Sequence, residues 1–410
     1  MNTATLAENT SVWPVAAIEK KRLRHPLLAA LQNTEFGQLT MTTPEGEQLM
    51  FLGLEHGPLA HMQLSDWSVL DEGVSRGEMG FVDSYIDGRW DSRDLPAMLT
   101  FALMNAPVLE RFFYGRPWYA LWMRVREWLH SNTVSGSRRN IMAHYDLGND
   151  FYALWLDKGM TYSCGLFEGD STRTLEEAQK AKHRRILKKL NAVPGEHVLD
   201  IGCGWGGFAE EAARAGLRVT ALTISEAQSA YAQERLERAG CSHLVSIQQM
   251  DYRKVAGMFD HIVSIGMFEH VGEKFWPVYF DTIREHLKPG GNAMIQSITL
   301  DDRLFESLHN HYGFIEYYIF PGGLLPSKTR FRAAAAKAGL SCREIFSFGQ
   351  DYTRTLRLWL ERFESNLPRV KQQGYDEPFI RLWRFYLASC IASFVSCRTD
   401  VMQVELTHTA

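Results

Sequence analysis

The sequence predicts an α/β protein in which a parallel sheet, covered on both faces by helices, follows a smaller amino-terminal α+β unit. Three observations predict it. From about residue 141 onward, strand and helix patterns alternate, as parallel strands joined by helical crossovers require. The apolar run Val198–Ile201 passes through Asp200 into a glycine-rich turn, Gly202-Cys203-Gly204-Trp205-Gly206-Gly207. Residues 35–70 instead carry short strands separated by turns.

In the amino-terminal unit the strands fall at Leu39–Thr43, Gln48–Leu52 and His61–Leu64, the first two separated by Pro44-Glu45-Gly46, which reads as a hairpin-rich arrangement. Helical patterns follow over Val69–Ile86 and Leu95–Leu129, the second dense in Phe, Trp and Tyr and interrupted by Pro107 and Pro117. That aromatic mass suits a lipid groove and equally an ordinary core or domain interface. Ser131 to Arg139 is small and polar. The expected organisation is therefore a domain over 1–130, a linker over 131–140 and a larger domain over 141–410.

The larger domain has strands near Val198–Ile201, Val219–Thr223, Val245–Met250, His261–Ile265 and Ala293–Ile298. A helix beginning near Gly206 would offer unpaired N–H groups and a positive dipole end to a polar ligand. Gly202, Gly204 and Gly207 satisfy G-x-G-x-x-G, so a dinucleotide comes first to mind. Such a site wants an acid at the end of the next strand, but the first one is Glu226, already in the following helix. Asp200, just before the glycines, would repel a pyrophosphate and attract an ammonium. S-adenosylmethionine carries that ammonium and no phosphate. Thr223, Gln228, Asp251 and Tyr252 fall at the C-terminal ends of the next strands. Each also reads as a cap or turn residue, yet together they outline one cleft.

Composition narrows the function classes. The 410 residues are 45% hydrophobic and 22% charged with a net charge of −4, which suits a globular chain of two or three domains and gives no sign of nucleic-acid binding. Two stretches are strongly basic, Lys20–Arg24 and Lys180–Lys189, and each reads as a solvated helix face or a contact with an anionic membrane. No apolar run spans a bilayer and no signal sequence is evident, so a cytoplasmic protein is expected. Six cysteines without a C-x-x-C point to reduced thiols and to no metal site.

Several motifs together resemble the cyclopropane-fatty-acyl-phospholipid synthases and the related mycolic-acid methyltransferases. They are His144 to Tyr152, Met160 to Gly165, the glycine loop, Gly266 to Gly272, Tyr318 to Gly323, Asp351-Tyr352 with Thr355, Leu356 and Trp359, and Tyr386 to Cys390. Asp83 to Asp91 resembles the amino-terminal domain of the bacterial lipid-acting members. The resemblance implies a Rossmann-like class I methyltransferase domain with a smaller amino-terminal α+β lipid-type domain. It also implies S-adenosylmethionine at Tyr145, Tyr162, Ser163, Asp200, Gly202, Gly204, Gly206, Thr223, Gln228, Asp251 and Tyr252.

The implied reaction carries a methyl carbon to the cis double bond of an unsaturated acyl chain of a phospholipid, leaving a carbocation that aromatic faces stabilise. Loss of a proton from the new methyl then closes a cyclopropane. The resemblance further implies bicarbonate as base, held by Cys164, Glu269, Ile298 through its backbone, and Tyr352, with Cys390 as a pocket residue. An ionised Glu269 would repel that anion unless it is protonated or orders a neighbouring donor. It also implies transient contact with the inner face of the membrane, and a homodimer is compatible.

One departure stands out. Where typical cyclopropane synthases have a fifth-strand histidine, this chain has Gln296, which can donate to an anion but cannot become cationic. If the proton removal that closes the ring fails, a hydride shift and loss of a different proton would give a methyl-branched or methylene product. A small-molecule N- or O-methyltransferase and a non-catalytic lipid-binding protein are the readings from other classes.

Overall fold

The computed structural model describes residues 25–112, 147–308 and 313–409. Lys20–Arg24, most of the aromatic stretch after Phe112, the expected linker and Tyr145 lie outside the described residues.

The amino-terminal unit is built on a small sheet of β1 (Phe36–Thr42), β2 (Gln48–Leu52), β3 (Glu55–Leu64) and β4 (Trp90–Asp91), in the order β2-β1-β3-β4. Only β1 and β2 form a hairpin, because β3 crosses to the far side of β1 and pairs with it in parallel. Gly53 permits the crossing: a Cβ there would lie 2.5 Å from the Glu35 carbonyl oxygen. Leu39, Met41, Ala60, Met62 and Leu64 turn inward, as the period of two requires. The single helix expected over Val69–Ile86 is two, Ser68–Arg76 and Glu78–Ile86, broken at Gly77 with φ 63°. Helix Leu95–Met104 follows, its first turn capped by the Asp94 carboxylate on the Ala97 N–H.

The larger sheet has seven strands. β5 (His197–Ile201), β6 (Arg218–Thr223), β7 (Val245–Gln249), β8 (Phe259–Ile265) and β9 (Leu287–Leu300) are the five expected strands, all parallel. Two antiparallel strands extend it, β10 (Leu340–Ser347) and β11 (Thr399–His408), giving the order β10-β11-β9-β8-β5-β6-β7. The strand order reverses beside β5, so a crevice opens at the C-terminal ends of β5 and β8, where the glycine turn lies.

Helix Leu175–Leu190 starts with a reciprocal capping box between Thr174 and Glu177. Its basic run is not one solvated face. Lys180, Arg184 and Lys188 share an exposed stripe, but Lys182 lies on the opposite face and is fully buried. Arg185 and Lys189 are paired with Glu344 of β10.

The two units are joined through helix Glu377–Val395. Arg381 donates to the carbonyl oxygens of Tyr85 and Trp90, at 2.5 and 2.8 Å, and pairs with Asp91 at 3.2 Å. Phe385, one turn on, packs its ring 5.4 Å from that of Tyr85. The Asp83–Asp91 motif thus docks on the larger unit together with helix Leu95–Met104, which packs on the same helix. Among the described residues no helix is long and apolar enough to cross a membrane, and all six cysteines are free.

Candidate active site

The turn after β5 holds three glycines in the left-handed region, Gly202, Gly204 and Gly206, with φ of 81°, 54° and 81°. A Cβ on Gly202 would lie 2.9 Å from the Met267 Cγ, whereas Gly204 faces open space and needs only its dihedral freedom. Asp200, at the strand end, is buried and its Oδ2 has no partner. Burial raises its carboxyl to about 7.

Asp200, Gly202 and Gly204 line a crevice of about 150 Å³, whereas Gly206 is not on its wall: a Cβ there would lie 3.0 Å from the Ala232 Cβ. Thr223 Oγ1 donates to Gln228 Oε1 at 2.9 Å, leaving the Gln228 amide nitrogen as the group it offers a ligand. Asp251 is engaged at both oxygens by the Arg253 guanidinium, at 2.8 and 2.6 Å, and also caps the turn through Arg253 N–H. An adenine amino group there would share the carboxylate with Arg253. The Tyr252 ring lies edge-on to Tyr279 at 5.7 Å along the same wall. Trp205 Nε1 donates to Asn149 Oδ1 at 2.7 Å, tying the glycine turn to the start of the larger unit.

A second cavity, of about 1010 Å³, runs between the two units. Leu39, Met62, Trp90 and Phe101 wall it from one side and Phe314, Phe385 and Phe394 from the other. Cys164, Glu269, Gln296, Ile298, Tyr352 and Cys390, which come from separate parts of the chain, all line it. Cavity and crevice share Tyr162, Ser163, Gly266 and His270.

Burial disfavours the charged forms of the titratable groups in this cluster. Glu269 Oε1 accepts from the Ile298 N–H at 2.6 Å, while Oε2 is buried without a partner, and burial raises the carboxyl to about 7. The Ile298 N–H is therefore committed to Glu269, and its carbonyl oxygen accepts from the Ser297 hydroxyl, so its backbone is less open to an anion than expected. Burial pushes the Cys164 thiol and the Tyr352 hydroxyl well up and Cys390 to about 12, so no thiolate nucleophile is set up. Tyr162 and Tyr386 share a hydroxyl hydrogen bond of 2.8 Å. Gln296 Oε1 accepts from Gln403 Nε2 at 3.0 Å.

A profile of the mycolic acid cyclopropane synthetase family matches residues 133–404. The chain belongs to that family. It is 37% identical over 342 residues to the tuberculostearic acid methyltransferase UfaA1 of Mycobacterium tuberculosis, covering 80% of this chain and 79% of the relative. It is 35% identical over 340 residues to the cyclopropane-fatty-acyl-phospholipid synthase of Escherichia coli strain K12, covering 81% of this chain and 83% of that one. The crystal structure of the mycolic acid cyclopropane synthase CmaA1 complexed with SAH and CTAB superposes with a TM-score of 0.61 at 31% identity, over 66% of this chain and 97% of that one.

As a cyclopropane-synthase-type protein the chain is an S-adenosylmethionine-dependent methyltransferase with the Rossmann-like fold of that class. Its crevice fits the cofactor on physical grounds: the partnerless oxygen of Asp200 needs a buried cation, and the glycine turn lets a ligand approach the backbone.

Three site residues were not singled out from the sequence. Lys182 is fully buried and donates to Ser163 Oγ at 2.6 Å, and burial lowers its ammonium to about 7. Its place among five other basic residues hid it; the signal was its position off the 180-184-188 stripe. His270 stands where cavity and crevice meet, held neutral by burial at about 4. Gln403 reaches the site only through strand pairing, and nothing local marks it.

Proposed function

We propose that this enzyme transfers a one-carbon unit from S-adenosylmethionine to the cis double bond of unsaturated acyl chains of phospholipids, giving cyclopropane fatty acids. The observation that carries the reading is the meeting of a large apolar cavity with the cofactor crevice at Tyr162, Ser163, Gly266 and His270. A compact polar acceptor pocket, which an N- or O-methyltransferase would need, is not what this wall opens onto. When bound, the cofactor supplies a methyl group on a sulfonium.

The chain's own residues do the rest. Asp200 holds the cofactor ammonium, and Gln228, Asp251 and Tyr252 contact its other polar and aromatic parts. The cavity walls exclude water and align the acyl chain, while the faces of Tyr162 and Tyr352 stabilise positive charge on it by about 0.5–2 kcal/mol each. Bicarbonate, as the base, would accept hydrogen bonds from Gln296, Tyr352 and a protonated Glu269, beside Cys164. The orphaned Oε2 of Glu269 supports an oxygen ligand at that point. Entry of lipid from a membrane surface is supported by Met50, Leu52, Leu54 and Leu59, all exposed on the small sheet and its turn.

A second reading, a methyl-branched or methylene product, is favoured by one observation: the cavity residue Gln296 is an amide that cannot exchange a proton near neutral pH. Incubation with methyl-labelled S-adenosylmethionine and unsaturated phospholipid, followed by mass spectrometry of the acyl chains, tests both. The expected gain is one carbon and two hydrogens, and absence of any gain removes both readings. Upfield ring protons in the product NMR spectrum decide for the cyclopropane. Gln296→His is expected to shift product towards the ring and to alter bicarbonate dependence; an unchanged product and dependence would show that position 296 does not decide the outcome.

A further inference from the structure

We propose that Arg185, acting through Gln403, is a positioning residue that fixes the Gln296 amide with its N–H donors turned to the large cavity. The inference deepens the proposed function, since it rests on Gln296 contacting a small oxyanion there.

An amide can sit either way round, and only its partners decide which end faces where. The chain of partners here has one consistent solution. Arg185 is a donor at every nitrogen. Its Nη1 lies 2.6 Å from Gln403, so the Gln403 group facing it is the carbonyl oxygen. That turns Gln403 Nε2 towards Gln296, where it donates to Oε1 at 3.0 Å. The remaining group of Gln296 is its NH₂. Gln403 and Gln296 are opposite one another in the β11–β9 register, and both are buried, at 1% and 3% exposure. Neither amide can turn over without setting two carbonyls or two N–H groups face to face in a dry interior.

The anchor of the chain is itself held. Arg185 Nη2 donates to Glu344 Oε1 at 2.9 Å, and the guanidinium lies over the Phe346 ring at 3.9 Å. A basic residue of the Leu175–Leu190 helix, remote in sequence from every motif of the site, therefore sets the polarity of one cavity wall. The consequence is chemical. Position 296 presents donors to an oxyanion and takes no proton, so the proton-accepting role falls to another group on the cavity, the anion itself, Glu269 or the neutral His270.

Gln403→Glu is the isosteric test. Its carboxylate still accepts from Arg185 but has no donor for Gln296, whose amide then turns to donate into it and shows the cavity its carbonyl. The bicarbonate concentration for half-maximal rate is expected to rise roughly tenfold, the effect of losing one hydrogen bond to a charged group. Affinity for S-adenosylmethionine is expected to stay within about twofold, because no cofactor-contacting residue changes. If the wild type responds to bicarbonate and Gln403→Glu responds identically, the relay is overturned while the base assignment stands. If the wild type is indifferent to bicarbonate, the base assignment falls and the relay is read from NMR of ¹⁵N-labelled glutamine side chains. There Arg185→Met should move the Gln296 amide signal, identified by its loss in Gln296→Leu, although the two side chains are not in contact. An unmoved signal overturns the relay.

Discussion

The Ile298 backbone N–H donates to Glu269 Oε1 at 2.6 Å, and the other oxygen of that carboxyl is buried with nothing to bond. One strand amide thus holds the side chain in place while its free end remains unsatisfied in the cavity. Such a group is poised between two states, because burial raises it to about 7.

Below that pH Glu269 is a neutral acid able to donate to an oxyanion, and above it the carboxylate repels one. The turnover of the wild type is therefore expected to fall as pH rises through about 7. Glu269→Gln keeps an acceptor for Ile298 and a donor for the anion but cannot ionise. Its turnover below about pH 7 should stay within roughly tenfold of the wild type, and its alkaline limb near neutrality should vanish. A rate profile from acid to alkaline pH checks this; a limb that persists unchanged belongs to another group.

Asp200 makes a linked prediction. Its carboxyl is raised to about 7 from an ordinary 3.8, so the unfolded chain ionises it first as pH rises and stability without cofactor is lost up to about 7. An ammonium beside it reverses the shift, so cofactor binding near neutral pH should release roughly half a proton. Calorimetry of S-adenosylmethionine binding in buffers of different ionisation enthalpy measures that number. Asp200→Asn should abolish the release and weaken binding roughly 100-fold or more, as expected for a lost buried ion pair. Equal proton release by wild type and variant would place the ammonium elsewhere.

Much of this was legible because it depends on local pattern. The five parallel strands, the glycine turn and Asp200 each follow from a short run of residues, and Cys164, Glu269, Tyr352 and Cys390 were marked by family motifs. What escaped depends on register between distant segments. β10 and β11 carry no crossover pattern, since they join the sheet antiparallel after helices, and so Gln403 gave no sign of meeting Gln296. Likewise the commitment of Ile298 to Glu269 needs the strand and the segment after β8 placed side by side. Charge composition misread helix Leu175–Leu190 because six basic residues in ten conceal that one of them points inward.

That inward residue, Lys182, is expected to lower stability where its folded and unfolded states differ in protonation. Burial lowers it to about 7 from 10.5, so the fold is penalised increasingly as pH falls from 10.5 to about 7. Lys182→Met should therefore melt higher than the wild type at pH 6, with the difference shrinking near pH 10. The same substitution removes the donor to Ser163 and should weaken cofactor binding roughly 3- to 10-fold. A variant that melts lower than the wild type at every pH would show that the buried ammonium is held by more than Ser163.

Arg381 of helix Glu377–Val395 makes polar contacts with the amino-terminal unit, donating from a buried position to the carbonyls of Tyr85 in helix Glu78–Ile86 and Trp90 in β4. Arg381→Met keeps much of the stem but strips the Trp90 carbonyl of its Arg381 donor and leaves the Tyr85 carbonyl to its Gly88 N–H, a cost of about 1–3 kcal/mol. Denaturant unfolding should show that loss, and limited proteolysis should cut the amino-terminal unit faster. Cofactor affinity should hold, because Arg381 does not line the crevice. One-carbon transfer to the acyl chain should fall, because the cavity is walled by both units. An unaltered rate on long-chain lipid would mean that the smaller unit is not needed to shape the cavity.

The exposed leucines of that unit give a prediction about where lipid enters. Leu52 of β2 and Leu59 of β3 flank Gln38 of β1 in one row across the sheet, and Leu54, 95% exposed, stands in the turn beside them. Side chains of this size held in water on one face gain about 1.5–3 kcal/mol each when fully buried, so partial insertion of the row into an acyl layer would give weak, reversible attachment. Leu54→Ser with Leu59→Ser should reduce co-sedimentation with phospholipid vesicles about tenfold or more while melting temperature and cofactor affinity stay near wild type. Turnover on vesicles should fall with it, and turnover on detergent-dispersed substrate should not. Equal vesicle binding by the double variant would move the membrane contact to another face of the protein.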